Sequence, residues 1–158
     1  MLFLAIGSNL NSSFGNRFQN IELAITSLEK KNIIIEKRSS FYETPSYPNN
    51  EKPKFINIVL AASTNLKLER KRNKKNEPRT CDIDIIDYNG KIIDYNYKNS
   101  FFTIPHEKLA FRNFVLIPLM EIKPNWTHPK SKEKIKDLVS KLSDDDIKSI
   151  LKVKKNWY

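Results

Sequence analysis

Asp82 and Asp84 stand two residues apart in "EPRTCDIDIIDYNG", a stretch whose Ile83, Ile85 and Tyr88 are strand-forming residues. On a strand, side chains at i and i+2 leave the same face, so the two carboxylates are neighbours. Asp is a poor strand former and adjacent like charges repel, so the pair asks for a cation. Mg²⁺ meets that demand, because it is held by one or two carboxylates plus substrate phosphates. Two such ions can clamp a polyphosphate during an in-line displacement. A solvated edge strand with Asp on its open face has the same pattern. Asp87 has the opposite parity and is expected to stand apart from the pair, with Ile83 and Ile85 buried.

Arg70, Lys71, Arg72, Lys74, Lys75 and Arg79 lie just upstream. Arg forks fit phosphate oxygens bidentately, so this segment suits a polyphosphate, as it would equally suit solvent or a nucleic acid. His106, in "TIPHEKLAFRNF", has Arg112 and Phe114 downstream and could donate to phosphate oxygens, whereas His128 has no such company and is expected at the surface. "FYETPSY" and "FIN" supply Thr44, Pro45, Phe55 and Asn57, which suit a flat heterocycle: rings to stack, an amide to read its edge. Gly7 to Asn9 lack the spacing of a Gly-rich nucleotide motif and read as a turn at a strand end.

The elements that must position these groups follow from periodicity. "LFLAIGSN" reads as a buried strand, and Phe18, Ile21, Ile25 and Leu28 have helical spacing behind candidate caps at Asn11 to Ser13. "IIIEKRSSFYET" reads as one strand, Tyr47 to Pro53 as an exposed loop, and "FINIVLAAST" as a central strand because it is apolar almost throughout. Asn89-Gly90 predicts a hairpin from the acidic strand into "KIIDY". An extended piece, a short helix and a second helix ending before Pro124 come next. The charged tail from Lys130 has helical spacing at Ile135, Leu138, Val139 and Leu142, then at Ile147, Ile150 and Leu151. The order suggests an α+β sandwich with a mostly antiparallel sheet.

The bulk numbers bound the rest. With 158 residues the chain suits one domain, 39% hydrophobic and 29% charged residues suit a globular one, and the net charge of +10 favours an anionic partner. Cys81 is the single cysteine, so an intrachain disulfide is excluded, and a lone Cys in a strand reads as a small hydrophobe. The apolar start "MLFLAI" is too short for a signal sequence, no window approaches a membrane span, and a soluble, intracellular protein is expected.

Taken in order, "AIGSNL", "SSFYETP", "FINIV", "RKRNKKNEPRTCDIDII" and "IPHEKLAFRNFVLIPL" resemble the 6-hydroxymethyl-7,8-dihydropterin pyrophosphokinase family of folate biosynthesis, from Leu2 to about Trp126. The resemblance implies a ferredoxin-like α/β sandwich of the α+β class, with helices packed on the faces of a mostly antiparallel sheet. It also implies transfer of pyrophosphate from ATP to the pterin hydroxymethyl, two Mg²⁺ ions on Asp82 and Asp84, and catalytic roles for Arg72, Lys75, Arg79 and Arg112. ATP contacts would come from Thr103, His106, Arg72 and Arg79, and pterin contacts from Thr44, Pro45, Ser46, Phe55, Asn57 and Phe114. The implied protein is a cytoplasmic monomer that binds its two small substrates and neither nucleic acid nor membrane. It forms one pyrophosphokinase domain over residues 1–158, with 130–158 a charged helical extension.

Four departures stand out: Lys75 replaces a usual Arg, Phe55 and Glu107 replace frequent Tyr residues, and the usual helix before the basic loop is missing from "STNLKLERKRNKK". An inactive relative weakened by that loss is one alternative. A basic RNA-binding α+β domain is another, though it gives no reason for two carboxylates on one face.

Overall fold

The structure, a computed structural model, describes residues 1–46, 52–66, 80–97 and 100–154. Its main sheet is built from β1 (Leu2–Ser8), β2 (Ile34–Arg38), β3 (Tyr42–Thr44), β4 (Phe55–Ser63), β5 (Asp82–Tyr88) and β8 (Leu151–Lys152). The strand order is β5-β1-β4-β3-β8, with β2 pairing β4 beside β3, and every pairing is antiparallel. The expected central strand is β4: Ile56 to Ala62 are all buried, with β1 on one side and β2 and β3 on the other. β6 (Ile93–Tyr97) and β7 (Ser100–Ile104) form a separate two-stranded sheet.

Both faces of the main sheet are covered, as period-2 alternation on its central strands requires. Leu2, Leu4, Ile6, Ile56, Ile58 and Leu60 pack against Ile21 and Ile25 of α1 (Arg17–Glu29). Phe3, Val59, Ala61 and Ile86 pack against Val115, Leu116 and Leu119 of α2 (Asn113–Ile122), joined by Ile135 and Leu138 of α3 (Ile135–Ser140). α4 (Asp144–Ser149) ends before Ile150, and Leu151 of β8 pairs with Glu43 of β3, so the tail is not helical through Ile150 and Leu151 as their spacing suggested: the open edge of β3 takes it as a strand. The α+β sandwich with helices on its faces is therefore the observed architecture.

Four local expectations are corrected. α1 starts later than the candidate caps at Asn11 to Ser13: Asn16 caps it, accepting from the Phe18 and Gln19 amides while the Gln19 side chain accepts from the Asn16 amide. That capping box satisfies end amides that nothing upstream reaches. "IIIEKRSSFYET" is two strands, because the Ser39 hydroxyl accepts the Val59 amide at 3.0 Å where a strand carbonyl would. Asn89 and Gly90 do take the left-handed conformation of a tight turn, at φ 55° and 68°. The turn closes with Lys91 N donating to Tyr88 O, but the chain then leaves β5 and pairs as β6 with β7, so no β5 hairpin forms. His128 is buried rather than superficial, its ring edge-on to Trp126 at 5.6 Å and its Nδ1 accepting from the Lys130 and Ser131 amides.

The described residues between β4 and β5, 64–66 and 80–81, form no helix, and 67–79 lie outside the described residues, as do Tyr47 to Glu51 of the expected loop.

Candidate active site

The register aligns the candidate residues in a way the linear sequence does not display. Asp82 faces Gly7, Gly7 faces Asn57, and Asn57 faces Tyr42, so one straight row crosses β5, β1, β4 and β3. Directly opposed residues share a face. The next positions on that face are Asp84 opposite Ala5, and Phe55 opposite Thr44. It is the face covered by α2. From Asp82 to Asn57 the row spans two inter-strand spacings, about 10 Å.

Gly7 opens the middle of this row. A Cβ there would sit 3.1 Å from Asn57 Oδ1 and 3.6 Å from Phe55 Cδ1, so the amide and ring lie over β1 because no side chain stands in their way. Gly7 lies inside β1, rather than in the turn that its sequence suggested. Asn57 is buried, and its Nδ2 donates to Thr44 Oγ1 at 2.9 Å, which leaves Oδ1 turned toward the row. Thr44 and Ser46 are buried as well, and Ser46 Oγ donates to Pro53 O at 2.7 Å, closing the base of the loop that follows Pro45.

At the acidic end, Arg112 reaches from the start of α2 and pairs with Asp84, Nη1 to Oδ2 at 3.0 Å, while its guanidinium stands 5.5 Å from the centre of the Phe114 ring. Arg112 and Phe114 are thus placed by one helix start beside the carboxylates. His106 follows the cis Ile104-Pro105 bond, and its Nδ1 accepts the Lys108 amide at 3.1 Å. An accepting Nδ1 puts the proton of the neutral ring on Nε2, which can then donate outward. Burial holds the His106 pKa below its usual value; the Arg112 charge adds to this and Asp84 opposes it. A neutral donor beside an arginine suits phosphate oxygens.

β5 departs from simple alternation. Phe3 faces Asp87 while Leu4 faces Ile85, so Ile86 is the extra residue of a bulge. The bulge returns Asp87 to the face of Asp82 and Asp84, contrary to the parity expectation. Asp87 still stands apart from the pair, for a different reason. It is buried, with Trp126 Nε1 donating to it at 2.8 Å and the Gly90 amide at 2.7 Å, so both oxygens are engaged. Ile83 is exposed and Ile85 half-buried, contrary to the expected burial, because β5 is the edge strand. Burial lifts the Cys81 thiol to about 11, with Asp82 adding to it, so it is protonated and packs with the apolar cluster under α1.

Thr103 lies in β7 of the two-stranded sheet, its hydroxyl donating to Asp94 at 2.7 Å. Arg72, Lys75 and Arg79 lie outside the described residues. Asp82 and Asp84 fit Mg²⁺ by donor type: both offer hard carboxylate oxygens on one face, at the edge of the sheet. Among the described residues no cluster of three His, Cys, Asp or Glu completes a protein cage, so phosphate or water oxygens would fill the remaining positions.

The fold and this face define an α+β protein in which an acidic pair, an arginine with a phenylalanine beside it and a neutral histidine share a sheet face with a buried amide and a second phenylalanine. The family model described as 7,8-dihydro-6-hydroxymethylpterin-pyrophosphokinase matches residues 3–124. The chain belongs to that family. It is 33% identical over 150 residues to the 2-amino-4-hydroxy-6-hydroxymethyldihydropteridine pyrophosphokinase of Aquifex aeolicus, covering 86% of this chain and 88% of the relative. It is 38% identical over 143 residues to the folic acid synthesis protein FOL1 of Dictyostelium discoideum, covering 82% of this chain and 20% of that protein. The chain thus spans about a fifth of that relative's length. The fold is shared with a crystal structure of Plasmodium falciparum HPPK-DHPS, with a TM-score of 0.69 over 96% of this chain and 46% of the other, at 14% identity. The RNA-binding alternative finds no support in these matches.

Proposed function

We propose that this chain transfers pyrophosphate from ATP to 6-hydroxymethyl-7,8-dihydropterin in folate biosynthesis, giving the pterin diphosphate and AMP. The observation that carries the reading is the row Asp82–Gly7–Asn57, a carboxylate and an amide about 10 Å apart across an open glycine. That is the span of a flat bicyclic ring with a one-carbon arm. The pterin lies between Phe55 and Phe114, with Asn57 reading its edge and the Thr44–Pro45–Ser46 backbone beside it. Its hydroxymethyl oxygen bonds to the β-phosphorus of ATP, the bond between that phosphorus and the α–β bridging oxygen breaks, AMP leaves, and the hydroxyl proton passes to water.

Such a transfer needs positioning and charge neutralisation rather than a protein nucleophile. Asp82 and Asp84 hold Mg²⁺, with two ions expected; the chemistry supplied there is neutralisation of the polyphosphate and a more acidic hydroxymethyl. Arg112, which balances Asp84 in the free protein, turns its fork to the transferring phosphates. His106 donates from Nε2 to a phosphate oxygen, Thr103 lies on the adenosine side, and Arg72, Lys75 and Arg79, by their charge, are assigned to the phosphates.

The reading further assigns residues 1–158 to one domain, acting as a cytoplasmic monomer without nucleic-acid or membrane partners. Among the described residues no helix is long and apolar enough to cross a membrane. Incubation with ATP, Mg²⁺ and the hydroxymethyl-dihydropterin, followed by nucleotide analysis, is expected to give AMP and a pyrophosphorylated pterin. ADP would mean a simple kinase, and absence of turnover at high ATP would mean an inactive relative.

A further inference from the structure

The tail beyond residue 124, where the family match ends, holds α4, tied to Asn113 at the start of α2, and β8, paired with β3. Asn113, buried at the first turn of α2 between Arg112 and Phe114, donates from Nδ2 to Asp146 O at 2.6 Å and to Ser149 Oγ at 3.0 Å. Its Oδ1 accepts the Phe114 amide at 2.7 Å, so both ends of one amide are committed. α4 buries no residue of its own, so this polar tether locates it where packing does not.

Directly after α4, buried Ile150 leads into β8, which pairs with β3: Leu151 opposite Glu43 and Lys152 opposite Tyr42. The Val153 amide then donates to Phe41 O at 2.9 Å. Lys152 also donates from Nζ to Glu121 Oε1 at 2.9 Å, and Glu121 accepts from the Ser40 amide, the Ser40 hydroxyl and the Tyr42 hydroxyl. The tail therefore grips the helix that carries Phe114 and Arg112, and the strand that carries Thr44. Tyr42 and Thr44 stand directly opposite Asn57 and Phe55.

We propose that the segment from Ser143 to Val153 is a clasp that fixes β3 relative to the start of α2, and thereby sets the gap between Asn57 with Thr44 on one side and Phe114 on the other. Asn113 and Lys152 are positioning residues: they touch no substrate and act through Phe114 and Thr44. The inference rests on the reading of this gap as the pterin site. Its chemistry predicts a larger effect on the flat heterocycle than on ATP, because Arg112 is also held by Asp84 and the other phosphate contacts come from β5 and His106.

The test uses the full chain with Asn113→Asp and, separately, Lys152→Gln. Asn113→Asp keeps the acceptor for the Phe114 amide and removes the donor to α4; Lys152→Gln is a surface change that leaves the core alone. For Asn113→Asp the expected result is a pterin KM raised about tenfold, the effect of one buried donor lost, with ATP KM within about twofold. Lys152→Gln should raise pterin KM less, about twofold, because that pair is largely solvated. Hydrogen exchange at the Tyr42 to Thr44 amides should quicken in both. Equal changes in the two KM values, or faster unfolding with pterin KM and β3 exchange unchanged, would overturn the clasp. If the wild-type chain gives no AMP while β3 exchange still responds to both substitutions, the functional reading fails, and with it the assignment of the gap to a pterin.

Discussion

Gly7→Ala separates the site from the fold more cleanly than any other single change. Gly7 has no left-handed backbone requirement, so alanine is conformationally tolerated there. The added methyl would meet Asn57 Oδ1 at 3.1 Å, which forces the amide to give by a few tenths of an ångström, and would touch the Phe55 ring at 3.6 Å. Overpacking of this kind costs about 1–3 kcal/mol, while removing a glycine from the unfolded chain returns about 0.4–1 kcal/mol, so the net loss of stability is about 0–2.6 kcal/mol. The effect on the site should be larger, because Asn57 is held on its other side by Thr44 and can yield only by leaving the row. Losing or misaiming one edge hydrogen bond from a buried amide costs about 1–3 kcal/mol, or roughly 5- to 150-fold in pterin KM. The assay is steady-state AMP formation with pterin varied at saturating ATP and Mg²⁺, then ATP varied at saturating pterin, beside urea denaturation of both proteins. An unchanged pterin KM, or an ATP KM that rises by the same factor, would refute the placing of the heterocycle on the Gly7–Asn57 row.

Arg112→Ala should lower kcat more than it raises pterin KM, since the guanidinium faces Asp84 and is proposed to turn to the phosphates; a pure pterin-affinity defect in steady-state kinetics would contradict that role. Asp84→Asn should abolish turnover without loss of fold by circular dichroism, and near-normal rates at low Mg²⁺ would exclude the metal reading. Stability should be flat between about pH 6.5 and about pH 8 and fall below that window. His106 and His128 are both depressed from 6.5, chiefly by burial, so between the folded and unfolded pKa values the unfolded chain binds more protons. Urea midpoints at about pH 5 and about pH 7.5 should differ less in a His106→Gln, His128→Gln double variant, and an undiminished difference would refute the assignment. Trp126→Phe removes the indole donor from buried Asp87 and should cost about 1–3 kcal/mol in urea denaturation with both KM values unchanged; a loss within about 0.5 kcal/mol would show the bond to be dispensable.

Much of this molecule is legible in its sequence because local rules acted without competition. The unbroken apolar run of "FINIVLAAST" had to be an inner strand, and the period of Phe18, Ile21 and Ile25 had to face a core. Asp82 and Asp84 had to share a face because two residues of strand return a side chain to the same side. What failed did so where a tertiary partner intervened. Ser39 replaced a backbone acceptor and split one strand into two, and the bulge at Ile86 cancelled the parity of Asp87. Burial against Trp126 took His128 out of solvent.

The sequence by itself determined which side chains carry charge, amide and ring, and on which face of its own strand each one stands. Only the tertiary structure decided that Asp82, Gly7, Asn57 and Tyr42 form one row, since register between strands distant in the chain is set by packing on both faces and not by any local preference. The same holds for the tail. Its charged pattern announced helices, but that Asn113 would tie α4 to the start of α2 depended on two segments meeting across the fold.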